Sequence, residues 1–351
     1  MKEVQVKDLQ GGEYLAKPIF LDNDQMLYYE GTCLHPMHID KMKEYGIQEV
    51  CIFEPEIFEK KSKEIIRQEI HADCKNKVKE ILERHVCRND ASLKEISAMA
   101  EEIISDIFNK EEIVERVYDI KERSADIYDH SINVSALSIL TALKMNLSQN
   151  LVYNIGVGSL LHDLGLKYIS MNYQNVSLDS LTPDNLFEFK KHTVYGFSSV
   201  EKENWMSSIA KKIILFHHER VNGTGYPLKQ KNIPIEIKIV SVCDNFDDKI
   251  CGIGCKQIKV QEAIEFLKTY KDIYFDGRVV DIFLNFIAAY PIGSLVITNE
   301  GEEAIVIEQN EHFTDRPIIQ LVKDKNGKSY QDKKIINLVE VHNLFIEKVI
   351  N

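Results

Sequence analysis

The stretch from Phe216 through His217, His218, Glu219, Arg220, Val221, Asn222, Gly223, Thr224, Gly225 and Tyr226 to Pro227 gathers groups that can do chemistry. Two adjacent imidazoles end an apolar run, Ile209 to Phe216, and a carboxylate follows them. Gly223 and Gly225 are free to take positive φ, and Pro227 biases Tyr226 towards an extended backbone. The segment is predicted to be a helix that stops abruptly and presents imidazoles and a phenol around one point. Neutral imidazole is the commonest protein metal ligand. Similar groups recur upstream and downstream. His130 stands near a helix start with Asp126 one turn before it on the same face. His162 and Asp163 close the apolar run Leu151 to Leu161, His192 precedes Gly196, and Asp244 follows the apolar Ile239 to Cys243. Buried without partners these groups are costly. Five of the eleven histidines fall at these points. Turned inward by one bundle, they make a mixed nitrogen and oxygen site suited to two or three transition-metal ions.

The elements that must position them lie between about Val117 and Tyr290. Helical periodicity runs through Leu137 to Met145, Leu151 to Leu161, Leu186 to Glu201, Ser207 to Phe216, Ile233 to Asp248, Val260 to Leu267 and Gly277 to Ala289. Thr182 and Pro183 form a helix start, with threonine as N-cap and proline at the first helical position. Ahead of this block, residues 56–117 are rich in Glu and Lys with apolar residues at helical spacing, broken at Asn89 to Ser92. They are predicted to be amphipathic connector helices through which the protein dimerises. Residues 1–55 read as a small α/β or mostly β module. Gly11-Gly12 and Asp22 to Asp24 are its turns, Tyr14 to Phe20, Met26 to Tyr29 and Glu49 to Phe53 its strands, and Pro36 to Tyr45 its helix. After Pro291 the period becomes strand-like at Leu295 to Ile297, Ala304 to Ile307 and Ile318 to Val322, with Asn326-Gly327 as a hairpin turn. The expected fold is mainly α. A helical bundle at 118–290 stands between the N-terminal module and a small C-terminal β appendage at 291–351.

The bulk composition narrows the partners. The chain has 351 residues, is 44% hydrophobic and 28% charged, and carries a net charge of −12. That acidic balance argues against long nucleic acid, since neutralising phosphates needs clustered Lys and Arg. Seven scattered cysteines without a CxxC pair predict a reduced, cytoplasmic compartment. No signal-peptide core follows Met1, and the most apolar window is too short to span a bilayer.

His162-Asp163 with Gly165, His192 with Gly196, His217-His218-Glu219 leading to Gly225-Tyr226-Pro227, and Asp244-Asn245-Phe246-Asp247 together resemble the HD-GYP subgroup of the HD-domain phosphohydrolase superfamily. The resemblance covers about Val117 to Tyr290. It implies an HD-type bundle whose metal ligands are His130, His162, Asp163, His192, His217, His218 and Asp244. Asp163 would be the bridging carboxylate, and Asp126 falls where members with a third ion carry an acidic ligand. Tyr226 matches a substrate-contacting tyrosine, and Lys256 falls where a phosphate-contacting cation is expected. Two positions depart from the pattern. Leu166 stands where the family has a phosphate-contacting lysine, with Lys167 one residue later, and Ile253 stands where it has an arginine.

The implied activity is metal-dependent hydrolysis of a cyclic dinucleotide, cyclic di-GMP first, by a metal-bridging hydroxide. His162 and Asp163 would be its catalytic residues, and Tyr226, Lys256 and Lys167 its substrate contacts. Two or three divalent ions are expected. Iron or manganese is the better fit, because the ligand set contains no thiolate. Two other readings keep the metals: a sensor or interaction module that binds the nucleotide without turnover, and a hydrolase for another phosphate ester. The Gly-Tyr-Pro loop is the expected contact for a signalling partner, and no membrane association is expected.

Overall fold

The computed structural model describes residues 2–9, 13, 15–17, 19–21, 26–28, 34, 36–52, 65–88, 93–108 and 117–350. The predicted turns at Gly11-Gly12 and Asp22 to Asp24, and the break at Asn89 to Ser92, lie outside the described residues. The chain forms two compact units, one of Met1–Lys63 with Ala288–Asn351 and one of Glu64–Ile287.

The first unit begins with β1 (Lys2–Gln5), β2 (Ile19–Phe20), β3 (Met26–Tyr28), α1 (Pro36–Glu44) and β4 (Glu49–Ile52). β1 pairs antiparallel with β4 and β2 with β3. Val6, Leu15, Leu34, Ile39, Met42, Val50 and Ile52 are buried together between them, so α/β is the apt description of this module.

The second unit is helical: α2 (Gln68–Arg88), α3 (Ile96–Phe108), α4 (Ile127–Lys144), α5 (Gln149–Leu160), α6 (Pro183–Lys190), α7 (His192–Val200), α8 (Ser208–Phe216), α9 (Ile235–Cys251), α10 (Val260–Thr269) and α11 (Gly277–Leu284). Helix α2 buries Cys74, Val78, Ile81 and Leu82, a stripe at three- and four-residue spacing. That stripe packs against α3 and α4, and α3 packs in turn on α5. Helix α4 starts where Asp126 caps it, the carboxylate accepting from the N–H groups of Tyr128 at 2.9 Å and Asp129 at 3.3 Å. Thr182 caps α6 by accepting from Asn185 N–H. The continuous helix expected from Leu186 to Glu201 is instead two, α6 and α7. His192 Nδ1 donates to the Phe189 carbonyl at 2.7 Å. An uninterrupted helix would offer that carbonyl to the N–H of Thr193. Helix α9 ends at Gly252, which takes the left-handed φ of 82°.

The chain returns to the first unit as a five-stranded antiparallel sheet of β5 (Leu295–Thr298), β6 (Glu303–Asn310), β7 (Phe313–Lys323), β8 (Ser329–Asn337) and β9 (Ile346–Ile350), in the order β8-β7-β6-β5-β9. The three predicted strands lie within β5, β6 and β7. Their two partners, β8 and β9, carry too many charged residues to show a hydrophobic period. Among the described residues no helix is long and apolar enough to cross a membrane.

Candidate metal centre

Five elements deliver polar side chains to one buried place in the helical unit. His130 comes from the first turn of α4, His162 and Asp163 from the end of α5, and His192 from the start of α7. His217 and His218 follow α8, and Asp244 lies within α9. The imidazoles of His130, His162, His192 and His217 are inaccessible to solvent, and Asp163 and Asp244 nearly so. Two sets of candidate ligand atoms gather around Asp163, one of His130, His162, Asp163 and Asp244 and one of Asp163, His192, His217 and His218, while His130 also groups with Asp247 and Cys251. Asp163 belongs to both. Its Oδ2 lies 3.5 Å from His130 Nε2 and 3.6 Å from His162 Nε2, and its Oδ1 lies 3.4 Å from His192 Nε2 and 3.6 Å from His217 Nε2. Asp244 places Oδ1 3.1 Å from His162 Nε2 and Oδ2 3.6 Å from His218 Nδ1.

The outer ring nitrogens are already committed. His162 Nδ1 donates to Ser159 carbonyl at 2.6 Å, His192 Nδ1 to Phe189 carbonyl, and His217 Nδ1 to Ile214 carbonyl at 3.0 Å. His130 Nδ1 donates to Asp247 Oδ2 at 2.8 Å, and that carboxylate is itself paired with Arg123. A neutral imidazole that donates from Nδ1 presents a bare lone pair at Nε2. Here Nε2 faces Nε2 at 3.0 Å between His130 and His162 and at 3.3 Å between His192 and His217. Lone pairs this close need either a proton shared by the two rings or a metal ion between them. Buried Asp163 Oδ1 and Asp244 Oδ2 likewise have no hydrogen-bond partner. The donor set therefore fits divalent metal ions, with outer partners orienting the rings as metal-bound histidines require.

The titration of the metal-free site carries the same signature. Burial would raise Asp163 and Asp244, but the imidazoles around them outweigh it and hold both well below the ordinary carboxylate range. Burial would lower His130, but hydrogen bonds to Asp244 and Asp247 outweigh it and push it up, and Asp163 and Asp244 do the same for His162. On the other side burial wins: His192 is pushed down to about 4, and His218 falls as well, with His217 adding to the effect. Asp248 is held above the usual range by burial and by Asp244. Between pH 6.5 and 4 the unfolded chain binds protons at His192 and His218 that the fold refuses, while folded Asp248 keeps one that the unfolded chain releases. Two imidazoles outnumber the one opposing carboxyl, so the unfolded state is the one that binds more protons. The metal-free protein is expected to lose stability as pH falls through this window, by up to about 1.4 kcal/mol per pH unit. Denaturant unfolding of chelator-stripped protein across the window measures it, and a midpoint that holds or rises towards pH 4 would count against the assignment.

The Gly-Tyr-Pro segment closes over the second set. Tyr226 lays its ring 4.7 Å from that of His218 and 6.1 Å from that of His192, and Lys190 Nζ stands 5.4 Å from the tyrosine ring centroid. Of the two glycines, Gly223 takes a positive φ of 79°. Gly225 does not, and is needed for close approach instead: a Cβ there would sit 2.5 Å from the backbone of His218, Glu219 and Arg220. The Glu219 carboxylate is buried and accepts from Leu228 N–H at 2.7 Å and Gln230 N–H at 2.9 Å. It pins the loop to the end of α8. Glu219→Ala is expected to leave those two donors unpaired and cost about 2 kcal/mol, readable as a lower unfolding midpoint with the metal ligands intact.

Other sequence-chosen residues fall elsewhere. Asp126 does not join either ligand set, since its carboxylate caps α4 and pairs with Lys75 Nζ at 3.0 Å. Lys167 Nζ donates to Tyr128 Oη at 2.9 Å, and Lys256 is exposed. Leu166 and Ile253 are buried in one apolar cluster with Ile169, Phe189 and Cys251. The two departures from the family pattern are thus a single packed feature. Sequence reasoning quoted Asp247 without giving it a role and missed Asp248 and Lys190. For the two aspartates a signal existed, carboxylates three and four residues after Asp244 on an otherwise apolar helix. Lys190 is placed by the break between α6 and α7, which periodicity did not reveal.

Comparison with known proteins agrees with this geometry. The family model described as HD domain matches residues 92–279, and one described as KOW domain associated with HD domain matches residues 295–351. Cyclic di-GMP phosphodiesterase PA4108 of Pseudomonas aeruginosa is 26% identical over 69% of this chain and 59% of its own length. The cyclic di-GMP phosphodiesterase of Thermotoga maritima is 30% identical over 63% of this chain and 62% of its own. The chain thus spans about three fifths of these relatives. Among solved structures, Bd1817, an HDG"Y"P protein from Bdellovibrio bacteriovorus, shares the fold with a TM-score of 0.50 and 21% identity, over 80% of this chain and 97% of that one. With more than half its length matched by the family model and the His-Asp and Gly-Tyr-Pro signatures built into one site, the chain belongs to the HD-domain family and is of the HD-GYP type.

Proposed function

We propose that this protein is a metal-dependent phosphodiesterase that hydrolyses a cyclic dinucleotide, with cyclic di-GMP as the first candidate. The observation that carries the reading is the pair of ligand sets joined through Asp163. The names of the Pseudomonas and Thermotoga relatives support the substrate class. His130, His162, Asp163 and Asp244 hold one ion, and His192, His217 and His218 hold a second with Asp163. When bound, such ions supply Lewis acidity to a phosphate and lower the pKa of water. The seven ligands include no thiolate, which favours iron or manganese. Asp247 holds His130 in the tautomer that presents Nε2. Tyr226 forms one side of the site and orients a base or phosphate against it. Lys256, exposed, pairs with the distal phosphate. Lys167 keeps two further N–H donors for substrate beyond the one given to Tyr128.

The free cysteines among the described residues suit a reducing cytoplasm. The charged outer faces of α2 and α3 are the surface proposed for a homodimer, since the apolar stripe of α2 is already covered. The Gly-Tyr-Pro loop is the surface proposed for a signalling partner.

A second reading, nucleotide binding with little turnover, draws on Leu166 and Ile253. Two charge-assisted phosphate contacts, each about 1.5–3 kcal/mol, are absent. Hydrolysis of cyclic di-GMP by anaerobically purified full-length protein, followed by chromatography of the products, separates the readings. Turnover lost to a chelator and recovered with iron or manganese supports the enzyme. Tight binding without product supports the sensor, and cleavage of a different ester alone supports a hydrolase of other specificity. Leu166→Lys with Ile253→Arg is not expected to restore the missing contacts simply. Each places a charge inside an apolar cluster, at about 3 kcal/mol or more, so the unfolding midpoint of the double variant should fall by roughly 12 °C or more. A stable double variant with improved affinity would show that the cluster opens to the site.

A further inference from the structure

Asp248 is a carboxylate beside the metal centre to which the family resemblance assigns no role. It lies one turn after Asp244 on α9, so both side chains leave the same face of the helix. Its Oδ1 is buried, has no hydrogen-bond partner, and lies 3.7 Å from His130 Nε2, the nitrogen that also faces Asp163 and Asp244. Its backbone is fixed by the end of the helix, where its carbonyl accepts from Gly252 N–H at 2.7 Å and Ile253 N–H at 3.1 Å. Nearby cations are engaged elsewhere. Arg123 pairs with Asp247, Arg220 donates to Ser241, and Lys249 lies over the ring of Phe266. Asp126, the acidic position that the resemblance offered for an extra ligand, has both oxygens committed. Oδ1 accepts from Tyr128 and Asp129 N–H, and Oδ2 pairs with Lys75.

Resting on the metal-centre reading above, we propose that Asp248, which lies outside both ligand sets and approaches them at His130 Nε2, is an additional carboxylate ligand to the ion on the His130 side of Asp163. A buried oxygen without a donor, aimed at a nitrogen lone pair, is accounted for by a shared cation.

The test uses full-length protein reconstituted with manganese. Ions per chain and their release to a competing chelator are measured for the native protein, Asp248→Asn, Asp248→Ala and Asp126→Asn, with circular dichroism confirming the fold. The alanine variant guards against an asparagine that misfolds by burying a second polar group. The expected result is manganese affinity weaker by at least about tenfold in the Asp248 variants, and within about twofold of native in Asp126→Asn. Native affinity in a folded Asp248 variant, or a larger loss in Asp126→Asn, would overturn the proposal and leave the metal centre standing. A native protein that binds no manganese or iron would instead overturn the metal-centre reading itself.

Discussion

Asp163→Asn is expected to remove both metal binding and hydrolysis while leaving the helical unit folded. The aspartate alone belongs to both ligand sets, with one oxygen turned to His130 and His162 and the other to His192 and His217. An amide keeps the volume and loses the charge that holds two cations together. Removing one preorganised electrostatic group from an active site costs about 10²–10³ in rate. A ligand shared by two ions should cost at least the upper figure. The fold should survive, because its stability rests on apolar burial, as at Ile132, Leu140, Ile155, Leu160, Ile213 and Phe246. The combined reading is catalytic rate, ions per chain and unfolding midpoint on one preparation. A folded variant retaining native activity would exclude a two-ion site.

Gly165→Ala carries the second large effect, and it acts through the backbone. The turn Leu164–Tyr168 that follows His162 and Asp163 lies directly on the start of α7. A Cβ on Gly165 would overlap the carbonyl of His192 and stand 2.8 Å from Gly196 N. Those atoms are main chain and cannot rotate away. Overpacking in a well-ordered core costs about 1–3 kcal/mol, occasionally more, and a backbone obstruction belongs at the upper end. The same displacement separates His192 from Asp163, now 3.4 Å apart. A single methyl group is therefore expected to lower both the unfolding midpoint and the metal content. Native values for both would mean that the turn and helix can part without disturbing the site.

Much of this site was legible in the sequence, because metal-ligating residue types at helix ends are conspicuous against apolar runs. His162-Asp163 after Leu151 to Leu161 and His217-His218 after Ile209 to Phe216 are such cases, and the mainly α fold followed from the same periodicity. What was not legible is the pairing between distant elements. Nothing local marks Asp126 as paired with Lys75, 51 residues earlier, or Leu166 and Ile253 as neighbours. Proximity in sequence also misled at Gly225, whose constraint is the crowding of the His218 to Arg220 backbone rather than its own φ. The break at Lys191 depends on a ring nitrogen competing for a carbonyl, a contact that helical spacing cannot anticipate.

The most direct measurement is the transition-metal content of the folded chain, by elemental analysis of anaerobically purified protein before and after chelation. Two or more ions per chain are expected, with iron or manganese predominant and a large fall in Asp163→Asn. A folded native protein that holds no stoichiometric transition metal, and takes none up on reconstitution, would contradict the metal centre.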